Sequence, residues 1–341
     1  MSTTRYPVIA AWSAVSPLGM GAAAFTEGLR AGEVASSTVD ESWAAPVERA
    51  CLVPGFDIKA ILGRKGTRSM DRATGLAVTA VGQLLDGAQG DERTALVLGT
   101  STGSAQSIMD FTRDSLTGAR PHLVDPARFP NTVMNCAAGQ CAIWHKLQGP
   151  NTTIAAGRAS GLLALRYALR LQRNKHADPV LVGAVEEFSH ARAWLEQRAR
   201  GQVGLLGEGC AVLRVEPSGD GLAEVLSLET AMYHESAGIR PVVKALVERV
   251  LRSAEITPAD VALVSESGLD GELAGVRDVL PEAEAVVCAD LIGETSAASA
   301  AFQTTAVLAT AEGRSELSGK SALITSVDHD GVVAAAVLRL R

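Results

Sequence analysis

The sequence predicts an α/β protein made of two successive halves, each a sheet with helices packed on it. Three observations point there. Apolar strands alternate with amphipathic helices along the chain. After the turn signal "EPSGDG" at Glu216–Gly221 the alternation begins again from a strand. Hydrophobic residues are 47% of the 341, but aromatic residues only 4%, so the core must be mostly Ala, Val and Leu. Such small side chains let helices lie close on sheets. A chain this long exceeds one simple core. The expected division is residues 1–218 and 219–341, with no low-complexity linker, so the halves should pack into one body.

The elements follow in order. "YPVIAAWSAVS" is a first strand, and "PLGMGAAAFTEGLRAGE" a turn and short helix. Met70–Gly87 has apolar residues at helical spacing, with an acidic residue near its start, where the helix dipole favours negative charge. "TALVLGTSTG" is a continuous apolar strand, as expected when both faces are buried. "TTIAAG" is a strand, "ASGLLALRYALRLQRN" its helix, and "PVLVGAVEE" and "GCAVLRVEP" are further strands. In the second half "AEVLSLETAMY" is a strand, "RPVVKALVERVLRSAEI" a helix, "VALVSES" a strand and "GELAGVRDVL" a helix. "AEAVVCADLI" reads as a strand and "SAASAAFQTTAVLATAEG" as an Ala-rich helix, before a closing antiparallel pair, "KSALITSVD" and "GVVAAAVLRL". "LGEGC" and "DHDG" read as tight turns. The first lacks the spacing of a dinucleotide loop. In the second, the consecutive Asp328, His329 and Asp330 cannot easily converge on one ion.

Bulk chemistry narrows the function. The net charge is -7, and no basic stripe interleaved with aromatics is present, so nucleic acid is not an expected partner. Cys51, Cys136, Cys141, Cys210 and Cys288 are odd in number and widely spaced. They read as buried free thiols of a reducing cytoplasm, with neither metal-site nor disulfide-framework spacing. The N-terminal residues lack the pattern of a secretory signal, and no apolar run reaches the ~18 residues a membrane span needs. No metal or cofactor is expected.

Thr152–Leu171 is the informative stretch. A strand, a glycine-bearing turn and a helix make a common mount for a nucleophile, but the tip residue is Arg158. A guanidinium has no lone pair to offer and stays protonated.

Ordered motifs over most of Val8–Pro217 resemble the β-ketoacyl-acyl carrier protein synthases of the thiolase superfamily. They are "VIAAWSAVSPLGMGAAAFTEGLRAGE", "MDRATGLAVTAV", "FPNTVMNCAAGQCAIWHKLQGPNTTI", "ADPVLVGAVEE" and "GLLGEGCAVLRVEP". The resemblance implies a thiolase-like five-layered α-β-α-β-α sandwich of two similar halves. It also implies a dimer formed by pairing the strands next to the nucleophile. The family's chemistry uses a Cys on the elbow and two His. Here Arg158 stands at the Cys position of Gly157-Arg158-Ala159-Ser160-Gly161, Ser267 at the first His and Glu294 at the second. The family's Gly-Phe-Gly-Gly loop has become "SVDHDGVV". The excursion after "GAVEE" is trimmed to "FSHARAWLEQRARGQV".

A cation at a helix N-terminus meets the macrodipole with the wrong sign, so Arg158 must either reach solvent or find a carboxylate. Glu294 is the candidate counter-charge, because the family's second His comes close to the nucleophile. Of the six histidines, His329 alone lies in a loop that approaches the family's site, and it is the candidate residual acid or base. The resemblance narrows to chain length factors, inactive sisters that pair with an active ketosynthase and line its tunnel. It extends more weakly to ketosynthase-like proteins of aryl-polyene-type pathways. In that reading the segment between Gly103 and Asn135 contributes to interface and tunnel, with Ile108, Met109, Phe111, Thr112 and Met134 as gating candidates. Ordinary core packing is the alternative for each. The implied partners are an active ketosynthase and an acyl carrier protein. Two other functions stay open: a malonyl decarboxylase or acyltransferase using His329 or Ser160, and a non-enzymatic homodimer binding acyl carrier protein or an acyl ligand.

Overall fold

The computed structural model describes residues 6–88, 90–201 and 203–341. Strand β1 (Val8–Ser16) turns through the short β2 (Gly19–Met20) into helix α1 (Ala22–Ala31). A small hairpin, β3 (Ser37–Thr38) with β4 (Arg49–Ala50), and the short α2 (Ile58–Leu62) lead to α3 (Arg72–Leu85). Asp71 caps α3, its carboxylate accepting from the Thr74 amide at 2.7 Å. Then come β5 (Ala95–Gly99), α4 (Ala105–Thr117), α5 (Cys136–His145), β6 (Asn151–Ile154), α6 (Ser160–Arg173), β7 (Val180–Glu186), α7 (His190–Arg200) and β8 (Gly209–Glu216).

The chain then repeats itself. After β9 (Ala223–Met232) follow α8 (Ile239–Ser253), β10 (Val261–Ser265), α9 (Glu272–Arg277), β11 (Glu284–Ala285), α10 (Ala289–Ile292), α11 (Ser299–Ala311), β12 (Ser321–Val327) and β13 (Val332–Leu340). In the first set β1 pairs antiparallel with β8, β8 antiparallel with β7, β7 parallel with β5, and β5 parallel with β6. In the second set β9, β13, β12, β10 and β11 pair in that order with the same parallel and antiparallel pattern. The two five-strand arrays meet at one margin, where Val8 and Ile9 face Glu224 and Ala223.

Strand alternation builds the layers. Successive side chains on β5 point to opposite faces. Ala95 and Val97 join a central core with α6, α11 and the inward residues of the second array, such as Leu263, Ala322 and Ile324. Leu96 and Leu98 join an outer core under α3 and α5. On the far side Leu323, Val333 and Val337 pack under α8 and α9. The result is a five-layered α-β-α-β-α sandwich. The middle layer is tight: an added Cβ at Gly161 of α6 would lie 2.7 Å from the Ala301 amide nitrogen of α11. Among the described residues no helix is long and apolar enough to cross a membrane.

Two expected elements differ. "AEAVVCADLI" is a two-residue strand, β11, followed by the helix α10, instead of one strand. A short apolar run fits a strand and a buried helical turn equally well. "LGEGC" is not a tight turn. Leu206 and Gly207 form isolated bridges to Glu294 and Cys51, and Glu208 is wholly buried. Its carboxylate accepts from Arg72 at 2.5 and 2.6 Å and from the Val53 and Phe188 amides at 2.8 and 3.1 Å. A buried carboxylate this well partnered pins the loops around α3.

Candidate functional site

The elbow between β6 and α6 is one turn of 3₁₀ helix, Gly157–Ala159. Gly157 has φ +51°, and a Cβ there would lie 1.9 Å from Asp328 Oδ1, so only glycine fits. That oxygen accepts from the Arg158 amide at 2.8 Å. A carboxylate thus sits where the helix start presents unpaired N–H groups. Asp328 is held in turn: its Oδ2 accepts from the Asp330 amide at 3.0 Å and its carbonyl from the Tyr233 hydroxyl at 2.7 Å. "DHDG" is therefore a turn that closes on the elbow. Ser160 is committed locally, donating to the Gly157 carbonyl at 2.7 Å and accepting from the Ala156 amide at 3.0 Å.

The Arg158 side chain turns inward, leaving the residue 9% exposed. Its Nη2 forms an ion pair with Glu294 Oε2, and Nη1 donates to the Ser267 carbonyl at 3.4 Å. The fold thus brings Arg158, Ser267 and Glu294 together from three distant segments. The other Glu294 oxygen accepts from the Ser296 amide at 2.7 Å. The Glu294 backbone is fixed by Arg192, which is buried and donates to its carbonyl at 2.8 Å. The Ser267 hydroxyl donates to Glu272 Oε2 at 2.6 Å and accepts from the Val327 amide at 2.9 Å. Glu272 is fully buried, and its second oxygen accepts from Thr325 at 2.7 Å.

Burial sets the electrostatics. It pushes the Glu272 carboxyl up to about 7, against the lowering effect of hydrogen bonds from Ser267 and Thr325. It pulls the Arg158 guanidinium below its ordinary range, as does Arg200, while Glu272, Asp328 and Glu196 oppose the shift. Arginine remains a cation through such a shift. The elbow therefore presents a guanidinium, a carboxylate already paired with it and a hydroxyl already donating. Arg158 offers no electron pair with which to attack, and the Ser267 hydroxyl is held by the buried Glu272 carboxyl at 2.6 Å.

His329 lies on the exposed side of the same turn, and among the described residues no side chain hydrogen-bonds it. Burial, then Arg200 and Arg158, hold its pKa below the usual histidine value. Ile108, Met109, Phe111 and Thr112 lie on α4, and Met134 just before α5; Ile108 and Phe111 are partly buried and the other three exposed. Phe111 meets Phe129 with ring centroids 6.0 Å apart. Beside the first turns of α4 and α7 lies a cavity of about 610 Å³ lined by Trp43, Arg72, Ser104, Glu187 and His190. The Glu187 carboxyl is pushed up to about 8 by burial first and by Asp71 second. Sequence reasoning missed the roles of Asp328, Glu272, Arg192 and Glu187. Arg192 lies in the polar helix α7, and Glu272 and Glu187 sit at a helix start and a strand end, so no local pattern marked them.

Two stacked arrays of identical connectivity, with a strand-to-helix elbow at their junction, define a ketosynthase fold of the thiolase superfamily. The β-ketoacyl synthase N-terminal domain model matches residues 7–224, and the chain belongs to that family. Its structure is similar to the ishigamide ketosynthase/chain length factor, at 42% identity and TM-score 0.91, covering 98% of this chain and 99% of that one. It is 27% identical over 192 residues to 3-oxoacyl-[acyl-carrier-protein] synthase 2 of Vibrio cholerae, covering 54% of this chain and 46% of that protein. The tetracenomycin polyketide synthase ketoacyl synthase alpha subunit of Streptomyces glaucescens is 31% identical over 186 residues, covering 50% of this chain and 43% of that protein. The chain spans about half the length of the curated relatives it matches first.

Proposed function

We propose that this chain is a catalytically silent ketosynthase homologue of the chain-length-factor kind. It pairs with an active ketosynthase and helps set the length of a polyketide or fatty-acyl chain carried on an acyl carrier protein. The observation that carries the reading is the largely buried Arg158–Glu294 ion pair at the elbow. Acyl transfer needs an attacking atom with a free electron pair and a base beside it. Here a cation occupies the first place and its counter-ion the second. The similarity to the ishigamide ketosynthase/chain length factor over nearly the whole of both chains supports the same reading. Met109, Phe111 and Met134, half-buried or exposed on the isolated chain, are the residues proposed to face the partner's tunnel.

The decisive experiment co-expresses the chain with an intact ketosynthase carrying Cys and two His. A stable 1:1 complex is expected, with product length changing on Phe111→Ala or Met134→Ala. The isolated chain should neither form a covalent acyl adduct nor release carbon dioxide from malonyl carrier protein. Malonyl turnover by the chain alone would refute silence; a stable homodimer that ignores the ketosynthase would refute the partnership.

A further inference from the structure

The two outermost strands of the sheet order are β11 and β6. A free edge invites pairing with another chain unless it is shortened, charged or covered. β11 is blunted: it is two residues long, and its Glu284 is clamped by Arg314 at 2.8 and 3.0 Å. β6, with sequence NTTI, carries no charge and no bulge. It is flanked on one face by α5, whose Ala138 carbonyl accepts from Asn151 at 2.9 Å. Near that flank the apolar side chains Phe129, Met134 and Ile143 are exposed, Ile143 by 75%. On its other face lies α6.

The open side of α6 carries Arg166, Arg170 and Arg173, at i, i+4 and i+7, all exposed. They line a groove of about 960 Å³ together with Ile154 of β6 and Leu228 and Glu229 of β9. Among the described residues none of the three is in an ion pair. Arg166 donates to the Thr230 hydroxyl at 2.8 Å, and the groove's carboxylate, Glu229, is already shared with Arg249 at 3.6 Å. The groove is thus strongly positive on a molecule whose net charge is -7. If two copies paired through β6 about a two-fold axis, the interface would be isologous. The helices following β6 would run antiparallel beside the axis, and each arginine stripe would face the other.

We propose that the α6 arginine stripe makes this face reject a second copy of the chain and select a ketosynthase-fold partner whose matching helix presents carboxylates. This rests on the heterodimer reading above and names what would enforce it. The apolar flank supplies contact area to any partner of this fold; the basic flank decides which partner stays.

The test uses the full chain and needs no ketosynthase. Analytical ultracentrifugation compares the wild type, the Arg166→Gln/Arg170→Gln/Arg173→Gln variant and the corresponding triple Glu variant. All three positions are exposed, so folding should be kept, and circular dichroism checks it. The Gln variant should self-associate at least about ten-fold more tightly than the wild type. The wild type mixed with the Glu variant should form a mixed dimer stronger than either homodimer, and about 1 M NaCl should abolish that advantage. Absence of either shift overturns the proposal. Because no acyl substrate enters, catalytic silence could fail while the stripe stands, and the reverse.

Discussion

Removing Glu294 should destabilise the protein through Arg158. The two side chains are 11% and 20% exposed, so neither charge is well solvated. In Glu294→Gln the guanidinium keeps a neutral amide and the Ser267 carbonyl at 3.4 Å, but loses its counter-charge. Breaking a fully buried pair from one side costs about 3–5 kcal/mol. The partial exposure here brings the expectation to about 2–3 kcal/mol. Unfolding entropy of about 2.1 cal/mol/K per residue makes this a fall in Tm of about 3–4 °C. The Arg158→Met change should cost less, because the carboxylate keeps the Ser296 amide at 2.7 Å and the more solvated position. Arg158→Met with Glu294→Gln should recover most of the loss, giving a coupling of about 1–3 kcal/mol in a double-mutant cycle. The assay is urea unfolding followed by circular dichroism, with Tm as a second readout. Single variants within about 0.5 kcal/mol of wild type, or strict additivity, would show that the pair is not a buried interaction and remove the argument that it closes the elbow.

Other outcomes follow from the same geometry. Arg158→Cys alone should not produce condensation in a radiolabelled malonyl assay, because the side chains beside it, Ser267 and Glu294, include no histidine to handle the proton. Gly157→Ala should cost about 2–4 kcal/mol in chemical denaturation, since it combines a positive φ with a Cβ 1.9 Å from Asp328 Oδ1. Glu187→Gln and Glu272→Gln should each flatten the pH profile of stability. Both carboxyls are raised by burial, to about 8 and about 7, so the folded state holds their protons more tightly than the unfolded state. Each therefore favours the fold fully below the unfolded value and loses that contribution as pH rises toward the folded value. The wild-type slope should exceed that of either variant by up to about 1.4 kcal/mol per pH unit between about pH 5 and 7. Urea midpoints across that range would check it.

How much was legible depended on the range of the physics. The helix Arg72–Leu85 and the Ala-rich Ser299–Ala311 stand out because their apolar pattern is long. Continuous apolar runs such as Val180–Glu186 mark strands covered on both faces. Ala283–Ile292 reads as one strand and is not, because a few apolar residues carry no period long enough to separate strand from helix. At the elbow, opposite charges at the two positions that the family resemblance expects to be neighbours made Arg158 and Glu294 visible as a pair. Asp328 did not show itself as the acceptor for the Arg158 amide, because nothing local to "DHDG" says which distant helix start it approaches. Glu272 and Glu187 sit among residues that read as ordinary helix or strand ends, and their burial is decided by other elements.

The placement of the ion pair explains why charge remains at the elbow at all. A cation beside a helix N-terminus is opposed by the dipole, and burial adds to the cost. A pair of apolar side chains would fill the same space with less penalty, so stability alone does not account for the exchange. What the pair supplies is a directional link between the halves. Arg158 belongs to the first array's elbow, whereas Glu294, Ser267 and Asp328 all come from the second. Three contacts from one residue to three loops fix how the loops close over the elbow, and an apolar contact would let them slide. On this argument Arg158→Met/Glu294→Gln, though stable, should show faster amide hydrogen exchange at residues 266–269 and 328–331 than the wild type. Unchanged protection there would mean the pair only fills space.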